Sequence, residues 1–211
     1  KASVDVRPVS REVRRKYLGG RGINMYLLNK AYTADLDPLS PDNPLIFGAG
    51  LLTGTLGFGS RVNISAKSPE TGHLGDSNMG GEFGAALVRA GFSHLVVTGR
   101  SRRPVYVSIR DGEIEIRDAR KLKGLDTVET QKKIRSDPGE ERAQIACIGP
   151  AGENLVRYAA VRSGLKNDAG RTGMGTVMGS KNLKAVTATG TRDIRVFDPE
   201  GYQNYTLSLL K

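Results

Sequence analysis

The 211-residue sequence has one cysteine, two histidines and no tryptophan. A lone cysteine, Cys147, excludes an internal disulfide and any four-cysteine metal or iron–sulfur centre built by this chain alone. It stands in the apolar run AQIACIG, which points to a buried, unreactive thiol. His73 and His94 make no metal-ligand pattern with it. Aromatic residues are 6% of the chain, too few for a base-stacking, RNA-binding sheet. No apolar run approaches the roughly 18 residues of a membrane-crossing helix, and Lys1 to Lys16 lacks the apolar core of a signal peptide. A cytoplasmic protein without a membrane partner is expected. Acidic residues are outnumbered, 22 against 32 Lys and Arg, for a net charge of +10. Such a balance suits a nucleic acid, an anionic small molecule or an acidic docking partner. The cations are scattered, however, and the nearest cluster, Arg11, Arg14, Arg15 and Lys16, reads as a solvated helix face rather than a nucleic-acid-binding arm.

What the chain does have is 38% hydrophobic residues and a mean hydropathy of -0.35, the composition of a folded soluble domain. Alternation predicts strands over 3–7 (SVDVR) and 61–68, the apolar run 45–50 reads as a buried strand, and further strands are expected over 94–99, 143–149, 155–163 and 183–190. Ser10 caps a short helix that stops at Gly19-Gly20, and a second helix covers 23–32. Residues 68–84 read as a long glycine-rich loop, closed by a short helix. The runs PVYVSIR and EIEIRD flank Asp111-Gly112, the signature of a hairpin with a type I′ turn. Asp126 and Glu129 have capping-box spacing at the start of a helix. A last helix begins at Asp198, with Pro199 in its first turn. Strands and helices do not alternate regularly, so an α+β fold with a mostly antiparallel sheet is expected rather than a doubly wound one. No internal repeat is visible.

Twenty-seven glycines are nearly twice the usual share of about 7%. They gather in YLGGRGIN (17–24), GTLGFGSRVN (54–63), GDSNMGGEFG (75–84) and NDAGRTGMGTVMGSK (167–181). A backbone that lies flat against a large planar ligand needs positions without Cβ. The familiar phosphate loops are near misses. Gly175 to Lys181 lacks Walker A spacing and a hydroxyl after the lysine. GMGTVMG is one residue too long for a dinucleotide fingerprint. ATP and NAD are therefore poor fits, and an anion of another shape remains. Arg61 and Arg171, each beside a glycine-rich turn, could clamp two phosphates. Mg²⁺, which favours oxygen ligands, could bridge phosphates near Asn78. Asp76 reads as a turn cap.

The segments YLGGRGIN, GAGLLTGTLGFGSRVNISAKSPETGHLGDSNMGGEFG, LVVTGRSRRPVYV, IGPAGENLVRYAAV and AGRTGMGTVMGSKNLKAV follow one another in this order. Together they resemble the N-terminal domain of the tungsten-containing aldehyde ferredoxin oxidoreductase family, from about Tyr17 to Gly190. The resemblance implies an α+β fold with a β-rich, two-sheet platform. It implies a cofactor in which tungsten, or molybdenum, is held by two molybdopterins whose phosphates are bridged by Mg²⁺. Cofactor-binding positions would be Arg61, Asn78, Gly80, Asn167, Asp168, Gly170 and Arg171, with the backbone carbonyls of Asn78 and Asp168 directed to Mg²⁺. Asn167 stands where some members carry a further arginine. No catalytic side chain is expected in this chain. The acid–base residues and the four cysteines of a [4Fe–4S] cluster would belong to later helical domains. Residues 1–197 would form the tungstopterin-binding domain, and 198–211 would begin the domain that follows. The implied reaction is oxidation of an aldehyde to a carboxylic acid with ferredoxin as electron acceptor. The partners would be the C-terminal domains, ferredoxin and the aldehyde, with a homodimer left open. One alternative is the pterin-bearing subunit of a benzoyl-CoA reductase, from the same superfamily. The other is a non-catalytic module for a phosphorylated ligand or nucleic acid.

Overall fold

The computed structural model describes residues 3–55 and 59–210. Leu56, Gly57 and Phe58 of the second glycine-rich segment therefore lie outside the described residues. The chain opens with helices α1 (Arg11–Tyr17) and α2 (Gly20–Ala31), then strands β1 (Leu45–Ala49), β2 (Val62–Lys67) and β3 (Leu74–Met79). Helix α3 (Phe83–Arg89) leads to β4 (His94–Val97), and β5 (Val105–Arg110) and β6 (Glu113–Asp118) form a hairpin. After α4 (Thr127–Arg135) come β7 (Gln144–Cys147), α5 (Pro150–Glu153), β8 (Val161–Ser163), β9 (Asn167–Ala169), α6 (Met174–Ser180), β10 (Leu183–Thr189) and α7 (Pro199–Ser208).

Local chemistry explains the elements that sequence reading found. The Ser10 side chain accepts from the Val13 N–H and caps α1. Asp126 and Glu129 complete both halves of the capping box on α4. Replacing Asp126 with alanine is expected to lower stability by about 1 kcal/mol, read from the midpoint of denaturant unfolding. The β5–β6 turn has positive φ at both Asp111 (43°) and Gly112 (99°), as a type I′ turn requires.

The two sheets have the orders β3-β2-β1-β4 and β6-β5-β10-β7-β8-β9. Every pairing is antiparallel except β10 with β5, so the expected α+β, mostly antiparallel platform is what the chain forms. The topology also contains a repeat that the sequence hides. The run β1-β2-β3-α3-β4 makes a sheet of order 3-2-1-4, and β7-β8-β9-α6-β10 makes order 9-8-7-10 with the same antiparallel partners. Strands β3 and β9 hold equivalent edges. One apolar core draws Phe47 and Ile64 from the first sheet, Phe83 and Leu87 from α3, Val177 and Met178 from α6, and Ile148 and Val186 from the second sheet region. A second core joins Tyr106, Ile145 and Cys147 to Ile134 of α4.

Four expectations need correction. Residues 3–7 form no strand, and Val4 and Val6 are exposed; alternation alone supplies no neighbour to pair with. The 61–68 run is a strand, but all six residues of β2 are buried. Its polar row, Asn63 and Ser65, lies against Asn24 of α2 instead of facing water. The expected loop 68–84 contains β3. Only 161–163 of the run 155–163 is a strand, because Leu155, at φ 56°, follows directly on α5 and its cap.

Candidate functional site

The ends of β3 and β9 meet. Asn78, in β3, is exposed, and Gly80 follows the end of that strand. Asn167 and Asp168 lie in β9, with Gly170 and Arg171 just beyond. The Arg171 backbone N–H donates to Ser77 Oγ at 3.2 Å, and Thr172 Oγ1 donates to the Asp76 carbonyl at 3.3 Å. These bonds tie the segment after β9 to the edge of β3. The Asn167 amide lies against Gly80 and Gly81. A Cβ at Gly80 would come within 2.9 Å of Asn167 Oδ1, and one at Gly81 within 2.8 Å of its Nδ2. Gly170 is different: its nearest neighbour to a Cβ position is 3.9 Å away, and the residue is exposed. Arg61 immediately precedes β2, next in register beyond the Val62–Met79 pair and so beside Gly80. The structure thus gathers Asn78, Gly80, Asn167, Asp168, Gly170 and Arg171 along the meeting edges of β3 and β9, with Arg61 one residue before the Val62–Met79 pair.

Charge is arranged by pairing. Arg162 of β8 stands across from Asp168. Its Nε and Nη2 donate to the two carboxylate oxygens at 2.7 Å each. That hydrogen-bonded carboxylate raises the Arg162 guanidinium above its ordinary value. Asp76, expected as a turn cap, is instead a strand residue whose carboxylate is ion-paired with Arg21 Nε at 2.5 Å and accepts from Asn63 Nδ2 at 2.9 Å. Arg61 and Arg171 are exposed, and among the described residues neither has a carboxylate partner. Two arginines therefore pair with the local aspartates, and the other two have no such partner among the described residues.

Sequence reasoning missed Arg21, Asn24, Asn63 and Arg162. The available signal was the polar alternation in VNIS, whose Asn and Ser have no place in a strand buried on both faces unless partners await them. Asn24 Nδ2 lies 2.9 Å from the Asn63 carbonyl and 3.1 Å from both Asn63 Oδ1 and Ser65 Oγ.

The other reactive side chains lie elsewhere. Cys147 is fully buried, and burial pushes its thiol up to about 12, so it is not a nucleophile at neutral pH. His94 is held below the usual imidazole range by burial. Burial likewise lowers Lys181 to about 8, while its Nζ donates to the Pro41 carbonyl at 3.0 Å. Among the described residues no group of three or more His, Cys, Asp or Glu is placed to hold a metal ion. None of their helices is long and apolar enough to cross a membrane.

Two equivalent strand edges carry glycines and two exposed arginines, which have no carboxylate partner among the described residues, on an α+β, two-sheet platform. The comparisons with known proteins agree with that class. The model of the aldehyde ferredoxin oxidoreductase N-terminal domain matches residues 1–190, and the chain belongs to this family. It is 46% identical over 200 residues to a tungsten-containing aldehyde ferredoxin oxidoreductase of Pyrococcus furiosus, covering 94% of this chain and 33% of that protein. It is 36% identical over 208 residues to an aliphatic sulfonate oxidoreductase, WOR-like subunit, of the same organism, covering 91% of this chain and 33% of that protein. Among solved structures, the active site complex BamBC of benzoyl coenzyme A reductase, in complex with 1,5-dienoyl-CoA, superposes with a TM-score of 0.95 at 41% identity. That match covers 99% of this chain and 32% of the other. The chain spans about a third of the length of these relatives.

Proposed function

We propose that this chain binds the two phosphate ends of a tungsten bis-molybdopterin cofactor, in an oxidoreductase that converts aldehydes to carboxylic acids with ferredoxin as electron acceptor. The observation that carries the reading is the meeting of β3 and β9, with Arg61 and Arg171 unpaired beside Gly80 and Gly170. The residues fit the group. A phosphate needs donors and positive charge, and both arginines supply them. A cofactor with two like ends suits a repeat with two like edges. Mg²⁺ favours oxygen ligands, and the backbone carbonyls of Asn78 and Asp168 are the ligands this chain would offer, because the Asp168 carboxylate is already occupied by Arg162.

When bound, the metal and pterin supply the redox chemistry. The residues of this chain hold and orient them, and none acts as an acid or base. In this reading residues 1–197 form the cofactor domain and 198–211 start the next one. The [4Fe–4S] ligands lie outside the chain, and the whole enzyme is cytoplasmic. A second reading, the active-site subunit of a benzoyl-CoA reductase, is favoured by the 0.95 TM-score. The three relatives share this domain and are named for different substrates, which supports a reading in which substrate choice lies in the remaining two thirds of the enzyme.

The test is metal and pterin analysis of the full-length protein, purified without oxygen from a host that makes the cofactor. Tungsten and two pterins per chain are expected. Turnover of aldehydes with ferredoxin, set against reduction of an aromatic acyl-CoA, separates the two enzymes. A folded protein with neither metal nor pterin refutes both.

A further inference from the structure

The two halves of the repeat anchor their site strands by different chemistry. In the first half Asn63, on β2, stands directly across from Asn78, on β3, and its Nδ2 donates to Asn78 Oδ1 at 3.1 Å. In the second half the equivalent pair is Arg162, on β8, across from Asp168, on β9, joined by two bonds of 2.7 Å. At this register position a neutral amide pair occupies one edge and a compensated ion pair the other; the Asn63 Nδ2 also donates to Asp76 Oδ2 at 2.9 Å, two residues before Asn78.

Both anchors are themselves held. Asn63 is buried, and its Oδ1 accepts from Ser65 Oγ at 2.6 Å. Arg162 is half-buried in a strand paired on both sides, with β7 and β9. The consequence differs between the edges. Asn78 brings no charge to the site. Asp168 brings a carboxylate, which left alone would repel a phosphate and compete for the cation between phosphates. The planar guanidinium engages both of its oxygens at once.

We infer that Asn63 and Arg162 are equivalent positioning residues: each fixes the site residue across from it, and Arg162 in addition removes the Asp168 carboxylate from the anion site. The inference rests on the proposed pterin-phosphate reading. It assigns Arg162 a role that acts through Asp168, not by touching the cofactor.

The experiment compares three full-length proteins from a cofactor-producing host: wild type, Arg162→Asn, and Arg162→Asn with Asp168→Asn. The double variant writes the amide pair of the first half into the second. Magnesium, tungsten and pterin per chain are measured, with the thermal midpoint of the cofactor-free protein as the control for folding. Arg162→Asn is expected to reduce magnesium and pterin retention by about 10-fold, the usual cost of losing an outer-shell partner. The pair is about one-third exposed, so the midpoint should fall by no more than about 3 °C. The double variant is expected to recover more than half of the loss. Wild-type retention in Arg162→Asn overturns the inference. So does a double variant as poor as the single, since Arg162 would then act by its own contact with the anion. A wild-type protein that folds without magnesium or pterin refutes the site reading itself, and this inference falls with it.

Discussion

Replacing both Arg61 and Arg171 with alanine is expected to leave a folded full-length protein that no longer retains pterin. Each side chain is exposed and has no carboxylate partner among the described residues, so removing it breaks no ion pair. Surface changes of this kind shift stability by no more than about 0.5 kcal/mol. The structural bond at this point comes from the Arg171 backbone N–H to Ser77 Oγ, and alanine keeps it. The loss therefore falls on ligand binding. A hydrogen bond to a charged group contributes about 1.5–3 kcal/mol, which converts to about 10- to 150-fold per arginine at roughly 1.4 kcal/mol per decade. Two such losses at separate positions add, so the double variant should hold pterin at least about 100-fold more weakly. The readout is pterin and tungsten per chain after gel filtration, with the unfolding midpoint beside it. Normal cofactor content in the double variant would sink the assignment. Lost content with a collapsed midpoint would mean that the arginines serve the fold.

Ligand-facing and fold-serving residues differ in how far the sequence alone exposes them. The β5–β6 hairpin, α4 and α1 were legible because their signals are local: a two-residue turn, a capping box, a serine cap. The site residues were legible only through the ordered set of family-like segments, since each glycine segment alone is ambiguous. The repeat was not legible at all. It lives in strand order and register, and its paired positions are filled by different chemistry, Asn63 with Asn78 in one half and Arg162 with Asp168 in the other. Asp76 lies in a strand although Asp next to glycine-rich sequence suggests a turn. Its actual partners, Arg21 and Asn63, are distant in sequence. Burial of the polar row of β2 had the same cause: the helix that covers it begins more than thirty residues earlier.

Gly179→Ala is expected to cost more stability than any single change at the cofactor site. The glycines of residues 167–181 look alike in sequence and divide into two kinds in the fold. Gly170 has open space where a Cβ would stand. Gly175 and Gly179 lie inside α6 and let it approach α5 and the segment before β8. A Cβ at Gly179 would overlap the carbonyl oxygen of Gly152, and one at Gly175 the carbonyl oxygen of Ala160. Two effects compete. Alanine is the better helix former by about 1 kcal/mol. Against this, the obstacle is backbone, which has no rotamer by which to move aside, and overpacking costs typically 1–3 kcal/mol, occasionally more. With Gly152 itself pressed against Ile148 and the Gly175 carbonyl, the helices have no direction in which to part without opening the core around Val177 and Met178. The overlap should win, for a net loss of about 2–3 kcal/mol and a midpoint lower by about 5–10 °C in a chain of this size. Gly170→Ala, measured in parallel, should leave the midpoint within about 2 °C while affecting pterin retention. A stable Gly179→Ala protein would show that α5 and α6 can separate freely. The reverse result, an unstable Gly170→Ala, would move that glycine from the ligand side of the division to the packing side.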